Sequence, residues 1–402
     1  QGLRADLIGR DLQMAELVEA VEKLRRGEGS VIAISGDAGT GKSRLIEEFK
    51  AALDLDEIQW REGHAYSYSQ NIPYFPLIDL LNRAFNIEES DSPVELRQKV
   101  ELGIEQLIGR KDDIVTYIGS LYAFDYSEIE DVDLQLRKSK LRHAIQTVFS
   151  ALVRRAPTII CLEDLHWADP SSLELLRFIL LESSYPSLFL CLFRPPFKLL
   201  TSQELSVLGA SYREMRLHDL SGPEARNMIK SLLKTETVPL ELQHYMEEKV
   251  EGNPFYLEEV VNALIDLKKL IREDGGWSLT EDFAQTDVSP SIQGVIASRL
   301  DLLEREEKRI LQEASVIGRV FLYMILKRIT DLKDHIDSCL GGLEGLDFIR
   351  MKSLQPDPEY MFKHAMTQEA VYNGLLKRER KAIHEQIGLV MEQVFHDRLS
   401  EY

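Results

Sequence analysis

The sequence predicts an α/β fold in its first half, with a parallel sheet flanked by helices, and a mainly helical second half. Four segments are predicted strands: residues 31–35, 158–162 and 187–193 are apolar runs typical of buried strands, and residues 58–64 are a further candidate. Segments with helical periodicity separate these runs. Strands that alternate with helices indicate a parallel sheet covered on both faces, and this alternation stops near residue 215.

The helices and turns of the first half carry their own signals. Residues 11–25 place their apolar side chains on one face of a helix, and a glycine-rich turn leads into a second helix over residues 42–53. The Pro-Tyr-Phe-Pro run at residues 73–76 predicts a loop before a further helix. Residues 93–152 are predicted to be mostly helical and match no motif that assigns a role to them.

The fourth predicted strand, at residues 187–193, marks the end of the alternating pattern. Pro170 opens a helix that precedes this run, because proline at a helix start loses no hydrogen bond. The Ser-Gly-Pro-Glu run at residues 221–224 predicts the start of the first helix of the second half. Residues 275–288 predict a loop or small hairpin, and residues 348–351 and 360–362 predict a short β pair.

Length, charge and cysteine content limit the possible classes of protein. The 402 residues suffice for two or three domains, and the net charge of −19 argues against direct binding to nucleic acid or to an acidic membrane. The three cysteines form no CxxC pair and are expected to be reduced core thiols of a cytoplasmic protein. No apolar run is long enough for membrane insertion. Because the chain begins with Gln1, we expect it to be part of a longer protein.

Residues 36–43 form a phosphate-binding motif. Their sequence, Gly-Asp-Ala-Gly-Thr-Gly-Lys-Ser, matches GxxxxGK[ST] and lies between a predicted strand and a predicted helix. The glycines allow several backbone N–H groups to point at phosphate oxygens. Lys42 can reach the β- and γ-phosphates, and the Ser43 hydroxyl can bind Mg²⁺. A simple glycine turn would need neither side chain, so the sequence predicts an α/β P-loop NTPase that binds ATP or ADP with Mg²⁺.

Two carboxylates directly follow the third predicted strand. Glu163 and Asp164 come after residues 158–162. A phosphate loop needs an acidic element that holds the metal and orients water. One carboxylate can hold the water shell of Mg²⁺ while the other polarises an attacking water, and the residues alone leave open which takes which role. A polar strand end at the surface is the alternative, but beside a phosphate loop the pair predicts an ATP hydrolase.

Five segments of the sequence together carry a family resemblance. The most specific is Leu-Glu-Asp-Leu-His-Trp-Ala-Asp at residues 162–169. The others are Leu-Ile-Gly-Arg at 7–10, Pro-Tyr-Phe-Pro at 73–76, Gly-Asn-Pro-Phe-Tyr at 252–256, and Phe-Lys-His-Ala with Gln-Glu-Ala-Val-Tyr within 362–372. Together they resemble the STAND-class ATPases, an AAA-like module linked to nucleotide cyclases, kinases and large LuxR-type regulators. The resemblance spans roughly residues 5 to 390 and implies three domains. These are a P-loop ATPase domain over residues 1–215, a helical lid-like domain over 216–288, and a winged-helix domain with a following helix over 289–402.

The resemblance also implies roles for individual residues. It places Glu163 with Ser43 at the Mg²⁺ and Asp164 at the attacking water, and it makes Arg194 a sensor of the γ-phosphate. A surface arginine at a strand end is the alternative for Arg194. The residues expected to bind the nucleotide are Ile8, Gly9, Arg10, Gly36, Asp37, Ala38, Gly39, Thr40, Gly41, Lys42, Ser43, Arg44, Pro254 and His364.

Two histidines need separate interpretation. In some relatives a winged-helix histidine contacts the β-phosphate of ADP and holds a closed form. The resemblance implies this role for His364, although Ala365 stands where an acidic residue often follows. A hydrogen-bonded buried histidine is the alternative. For His166 and its neighbour Trp167, packing and loop shape are favoured over catalysis.

The predicted function is a slow ATPase that acts as a signalling switch. ADP would hold the domains together, and exchange for ATP would free attached effector domains or permit self-association. One alternative is an AAA+-type oligomeric motor, which needs an arginine finger from a neighbouring chain. Another is the nucleotide-gated scaffold of a transcription regulator. Lys42, Ser43, Glu163 and Asp164 are all intact, which argues against a degraded site.

Overall fold

A computed structural model describes residues 5–394 except 56, 67–68, 71, 89–90, 131, 155, 183–185, 251, 274–275, 282, 284–288, 290 and 354–357. The chain divides into two compact units. The first, called the sheet unit, comprises Arg10–Asp37 and Gly41–His218. The second, called the helical unit, comprises Asp219–His396 together with Gln1–Gly9 and Ala38–Thr40. The predicted division into three domains stays a prediction.

The sheet unit is built on parallel strands. In the described part of the chain its five strands are β1 (Ser30–Gly36), β2 (Gln59–His64), β3 (Thr158–Glu163), β4 (Ser187–Phe193) and β5 (Tyr212–Leu217). Their order in the sheet is β2-β3-β4-β1-β5, and every neighbouring pair is parallel. The carboxyl ends of all strands therefore meet at one edge, with β4 between the strand of the phosphate loop and the strand of Glu163.

Helices flank this sheet. They are α1 (Asp11–Arg25), α2 (Lys42–Ala51), α3 (Phe75–Ala84), α4 (Pro93–Ile108), α5 (Asp112–Gly119), α6 (Ser127–Glu130), α7 (Leu134–Arg154), α8 (Pro170–Glu182) and α9 (Ser202–Leu208). β4 is buried along its whole length, which explains its continuous apolar sequence. The parallel sheet with flanking helices confirms the predicted α/β class.

Two details of the sheet unit differ from the sequence prediction. The fifth strand, Tyr212–Leu217, was not predicted, because in this edge strand only Met215 and Leu217 are buried and no continuous apolar run marks it. The predicted loop at residues 73–76 is wrong in part, because α3 begins at Phe75. Pro76 lies in the first turn of α3, where the missing N–H costs no hydrogen bond.

The helical unit contains helices and two small antiparallel sheets in its described part. Its helices are α10 (Gly222–Leu233), α11 (Leu240–Lys249), α12 (Pro254–Asp266), α13 (Ile292–Leu302), α14 (Arg305–Ile317), α15 (Tyr323–Ile329), α16 (Ile336–Gly345), α17 (Ala365–Gly374) and α18 (Lys377–Val394). Its strands are β6 (Leu270–Glu273), β7 (Gly276–Leu279), β8 (Val320–Leu322), β9 (Ile349–Ser353) and β10 (Glu359–Phe362).

The small sheets confirm part of the predicted pattern. β6 and β7 form a hairpin that begins before the predicted residues 275–288, and residues 284–288 lie outside the described part of the chain. β9 and β10 form the predicted β pair, and β8 joins them in the order β8-β10-β9. A winged-helix domain stays a prediction for this region. No helix among the described residues combines the length and the apolar character needed to cross a membrane.

Candidate nucleotide site

The phosphate loop connects β1 to α2 at the carboxyl edge of the sheet. Gly41 caps α2 with a φ of 91°, a backbone conformation that strongly favours glycine. Lys42 is buried, and its Nζ donates to the carbonyl oxygens of Gly36 at 2.7 Å and Asp37 at 2.9 Å. Burial, and next the positive charge of Arg194, lower the pKa of Lys42 to about 8. The loop therefore holds its lysine with the ammonium group enclosed by loop carbonyls.

Ser43 and Glu163 meet beside this lysine. Ser43 Oγ donates to Glu163 Oε2 at 2.7 Å, although the two residues are 120 positions apart in sequence. The contact follows from the sheet, because β1 and β3 both end at its carboxyl edge. Hydroxyl and carboxylate oxygens are the ligands that Mg²⁺ prefers, and Mg²⁺ takes few protein ligands when it also binds phosphate. The side chains predicted to hold the metal thus fit it chemically.

Asp164 follows β3 in an unusual backbone conformation. Its φ is 56°, in the left-handed region that Asp adopts more readily than most side chains. The carbonyl of Asp164 accepts from the N–H of Trp167 at 2.8 Å, and residues Leu165–Trp167 form a short 3₁₀ turn. This turn fixes the direction in which the chain leaves the strand. It also brings His166 back beside Asp164.

His166 is a partly buried imidazole within this turn, and both of its ring nitrogens are buried. Its Nδ1 lies 3.9 Å from Asp164 Oδ1, and its side chain is 12% exposed. Among the described residues, no group forms a hydrogen bond with either ring nitrogen. Burial, with the charges of Arg194 and Lys42, lowers the pKa of His166 to about 4, against an opposing effect of Asp164. The ring is therefore neutral at pH 7.

Arg194 directly follows β4, the strand between β1 and β3. Its charge acts on the pKa of both Lys42 and His166, so the guanidinium lies within electrostatic range of the phosphate loop. A cation in this position suits contact with a terminal phosphate. The structure therefore brings together Lys42, Ser43, Glu163, Asp164 and Arg194 at one edge of the sheet unit.

A histidine that the sequence analysis did not select also contacts this group. His64 ends β2 and pairs in register with Glu163 on β3, and its Nε2 lies 3.7 Å from Glu163 Oε1. Its Nδ1 lies 3.3 Å from Asp79 Oδ2, and Asp79 also accepts from Arg83 Nε at 3.2 Å. At 3.7 Å, His64 Nε2 is beyond hydrogen-bond distance of Glu163, so His64 is a close neighbour of this carboxylate rather than its hydrogen-bond partner. The signal in the sequence was its position at the end of the predicted strand at residues 58–64, and the structure shows that this strand lies beside β3.

Asp169, the last residue of the 162–169 segment, has a positioning role. Its Oδ1 accepts from the N–H groups of Ser171 at 2.9 Å and Ser172 at 3.0 Å, which caps α8. Its Oδ2 accepts from the N–H of Tyr74 at 3.1 Å. Tyr74 belongs to the Pro-Tyr-Phe-Pro run at residues 73–76, so one carboxylate connects two of the recognised motifs.

Arg10, in the sheet unit, also has a protein partner. Its side chain is buried, and Nη2 donates to the carbonyl oxygen of His218 at 2.7 Å. This contact anchors the start of α1 to the residue that follows β5. Binding of the nucleotide by Arg10 stays a prediction.

In the helical unit, Gly9 and Ile8 have close protein neighbours. Gly9 has a φ of 68°, and a Cβ at this position would lie 2.6 Å from Glu224 Oε1. Any larger residue would therefore strain the backbone and displace Glu224. Ile8 packs at the margin of an apolar cluster that includes Leu257 and Val260 of α12. Nucleotide contacts of Ile8 and Gly9 stay predictions.

The helical unit also contains Ala38–Thr40 of the phosphate loop. Asn253 caps α12 and its Nδ2 donates to the carbonyl oxygen of Ala38 at 3.0 Å. The N–H of Phe255 donates to the carbonyl oxygen of Gly39 at 3.3 Å. The Gly-Asn-Pro-Phe motif therefore holds the phosphate loop through hydrogen bonds from Asn253 and Phe255, the residues on either side of Pro254. Sequence reasoning singled out Pro254 and missed Asn253.

His364 lies against the same motif. Its ring centroid is 4.5 Å from that of Phe255, and its Nε2 is 3.7 Å from Glu258 Oε1. This nitrogen is buried, and no group in the described part of the chain forms a hydrogen bond with it. Lys363 donates to Glu258 at 2.6 Å and also pairs with Asp347. The sequence-based alternative for His364 is a hydrogen-bonded buried histidine, and the Nε2 atom does not fit this alternative because it forms no such bond within the described residues.

Comparison with known proteins shows what the first part of the chain is similar to. Residues 6–192 match the family model described as AAA ATPase domain. The uncharacterized protein R02095 of Rhizobium meliloti (strain 1021) is 24% identical over 397 residues, which are 96% of this chain. The chain spans 37% of the length of that relative, so the activity of the whole protein is a matter for proposal.

Three solved structures are similar to most of the chain, each at a low TM-score. Cdc6p from Pyrobaculum aerophilum is 12% identical with a TM-score of 0.43, covering 96% of each chain. The Aeropyrum pernix ORC1 protein in complex with DNA is 13% identical with a TM-score of 0.40, covering 92% of this chain and 94% of its own. Drosophila ORC bound to DNA is 12% identical with a TM-score of 0.41, covering 92% and 87%. The absence of direct binding to nucleic acid stays a prediction.

Proposed function

We propose that this chain is an AAA-type, Mg²⁺-dependent ATP hydrolase that binds ATP and ADP at residues 36–43. The observation that carries the proposal is the contact of 2.7 Å between Ser43 Oγ and Glu163 Oε2, formed beside the enclosed ammonium group of Lys42. A structural turn would need neither the hydroxyl nor the buried lysine. The match of residues 6–192 to an AAA ATPase domain supports the same function.

The side chains account for the steps of hydrolysis. The oxygen of a water molecule bonds to the γ-phosphorus, the bond to the β,γ-bridging oxygen breaks, and ADP leaves with the electron pair. The proton of the water passes to the Asp164 carboxylate and then to solvent. Lys42 and Arg194 face the negative charge of the phosphates. Mg²⁺, held by Ser43 and Glu163, supplies further charge neutralisation when bound.

Replacement of the lysine tests the nucleotide site. Lys42→Ala removes hydrogen bonds to a charged group, worth about 1.5–3 kcal/mol, so ATP and ADP should bind about 10- to 150-fold more weakly in calorimetry. Lys50→Ala, at the end of the same helix and paired with Glu62, is the matched control and should bind normally. Unchanged affinity in Lys42→Ala would contradict the assignment of the phosphate loop.

The AAA match fits the AAA+-type ATPase named as the alternative better than it fits the narrower signalling switch. An oligomeric motor predicts a rate per chain that rises with protein concentration, because a neighbouring chain completes the site. Turnover that stays constant over a wide concentration range, well below the roughly 1–100 s⁻¹ of kinases, would favour the switch. Sedimentation in ATP and in ADP gives the oligomeric state independently of the rate. Slow turnover that is independent of protein concentration would also favour the STAND subtype over an oligomeric motor.

One observation favours the switch as a second candidate function. The buried Nε2 of His364 has no hydrogen-bond partner among the described residues, and its ring contacts Phe255, whose N–H holds the carbonyl oxygen of Gly39. We propose that this nitrogen contacts the β-phosphate of ADP in a closed state. A contact of about 1.5–3 kcal/mol made in one state alone shifts the equilibrium about 10- to 150-fold.

Replacing this histidine separates the switch from simple packing. His364→Ala should weaken ADP binding more than ATP binding, whereas the exposed His335→Ala should change neither. Equal losses for both nucleotides, or a lower melting temperature with an unchanged ADP/ATP ratio, would contradict the switch. The AAA-type ATPase proposal would survive that result.

A further inference from the structure

His166 carries two buried polar atoms that its surroundings do not satisfy. Neither ring nitrogen has a hydrogen-bond partner within the described residues, and the side chain is 12% exposed. A buried polar group left unpaired costs about 1–3 kcal/mol, and folded proteins pair the large majority of such groups. A phenylalanine of similar shape would pack in this position without that cost. Packing and loop shape alone therefore do not explain a histidine here.

The charged groups around His166 are those assigned to the reaction. Nδ1 lies 3.9 Å from Asp164 Oδ1, and both Arg194 and Lys42 act on the ring through their charges. The ring of Trp167, with its centroid 5.0 Å away, is an aromatic neighbour. The imidazole thus has an aromatic ring and the carboxylate assigned to the attacking water among its close neighbours.

Asp164 lies close enough to His166 for a small movement to join them. A displacement of its carboxylate by about 1 Å would shorten the present 3.9 Å to an ordinary N–H···O distance. Its backbone has a φ of 56°, a conformation that costs about 1–3 kcal/mol for most residues and that concentrates at functional sites.

We propose that His166 is a positioning residue for ATP hydrolysis, whose Nδ1–H donates to the Asp164 carboxylate when nucleotide is bound. The inference rests on the proposed ATPase function and assigns no proton transfer to the histidine. A neutral imidazole donates from one nitrogen and accepts at the other, so an Nδ1–H tautomer can hold one carboxylate oxygen. The other oxygen of Asp164 then faces the water and receives its proton.

The decisive variant is His166→Phe, which keeps a ring and removes both nitrogens. Its melting temperature should equal or exceed that of the wild type, because two unpaired polar atoms are lost. ATP and ADP should bind with wild-type affinity. Single-turnover hydrolysis should slow about 10- to 100-fold, the loss of one hydrogen bond to a charged group. His143→Phe, an exposed histidine on α7, is the matched control and should hydrolyse ATP normally.

Two amide variants identify the nitrogen. The Asn side chain places its NH₂ group near the position of Nδ1, whereas the Gln side chain places it near that of Nε2. His166→Asn should therefore recover most of the hydrolysis rate, and His166→Gln should not. These variants also test the inference should His166→Phe fail to fold.

Each outcome bears on the inference. Wild-type hydrolysis by His166→Phe, or nucleotide affinities that fall in step with its rate, would overturn it. Recovery by Gln but not by Asn would overturn the assignment of Nδ1. Absence of ATPase activity in the wild-type protein would overturn the proposed function and this inference together, whereas normal wild-type activity with an unaffected Phe variant overturns the inference alone.

Discussion

Replacing Glu258 by Gln should reveal how strongly α12 is held to the segment that carries His364. Burial alone would raise the pKa of Glu258, but His364 and Lys363 lower it from 4.5 to about 2. Lys363 lies at 2.6 Å, whereas His364 Nε2 at 3.7 Å is beyond hydrogen-bond distance, so we attribute the effect mainly to Lys363. A depressed folded-state pKa stabilises the fold above pH 4.5, and the stabilisation disappears as the pH falls toward 2.

The size of the effect follows from this pKa. At about 1.36 kcal/mol per pKa unit, a fall from 4.5 to about 2 corresponds to at most about 3 kcal/mol at pH 7. The side chain is 12% exposed, so solvent screening removes little of this. Urea unfolding of the wild type and Glu258→Gln should differ by up to this amount at pH 7 and by much less near pH 3. Glu248→Gln, an exposed carboxylate on α11, is the control.

A difference in unfolding free energy that stays constant between pH 7 and pH 3 would refute the reasoning. It would mean that Glu258 contributes through packing or through neutral hydrogen bonds rather than as an ionised partner of Lys363. A pH-dependent loss in the Glu248→Gln control would equally show that the pH effect is not specific to the Lys363 contact.

Three further predictions concern the phosphate loop and its acidic partners. Asp164→Asn should bind ATP normally and hydrolyse it at least about 100-fold more slowly in a single-turnover assay; loss through Glu163→Gln alone would reverse the two roles. Gly39→Ala should weaken nucleotide binding in calorimetry, because Gly39 has a φ of 82° and an added Cβ would clash with Asn253 Oδ1. Chelation of Mg²⁺ should abolish hydrolysis while ADP still binds, and hydrolysis in excess EDTA would contradict the roles of Ser43 and Glu163.

The fold was predictable where burial is continuous along the sequence. β1 and β4 are buried along nearly their whole length, so an unbroken apolar run revealed each of them. β5 was not predicted because this edge strand buries one face only. The polar residues on its other face make its sequence resemble that of a loop. The order of the strands was beyond reach for a different reason, since it depends on which faces pack together and no local signal records it.

The site was predictable to the extent that its chemistry is local. Lys42 and Ser43 lie within one motif, and Glu163 with Asp164 follows one predicted strand, so residue type and spacing sufficed to select them as candidates. Partners that arrive from distant segments gave no such signal. Asp79 meets His64 across 15 positions, and Asn253 meets Ala38 across 215.

Two recognised motifs gain a physical explanation from such distant contacts. The Asp169 carboxylate caps α8 and also holds the N–H of Tyr74, so the acidic end of one motif sets the start of α3 in another. Asn253 likewise caps α12 while holding the carbonyl oxygen of Ala38. In both cases a single polar side chain forms hydrogen bonds with a helix start and with a second segment. Replacing Asp169 or Asn253 by alanine would therefore leave backbone groups unpaired in two elements. Part of what looks like a signature of chemistry in the sequence is therefore a requirement for hydrogen-bond satisfaction around the groups that we propose to be catalytic.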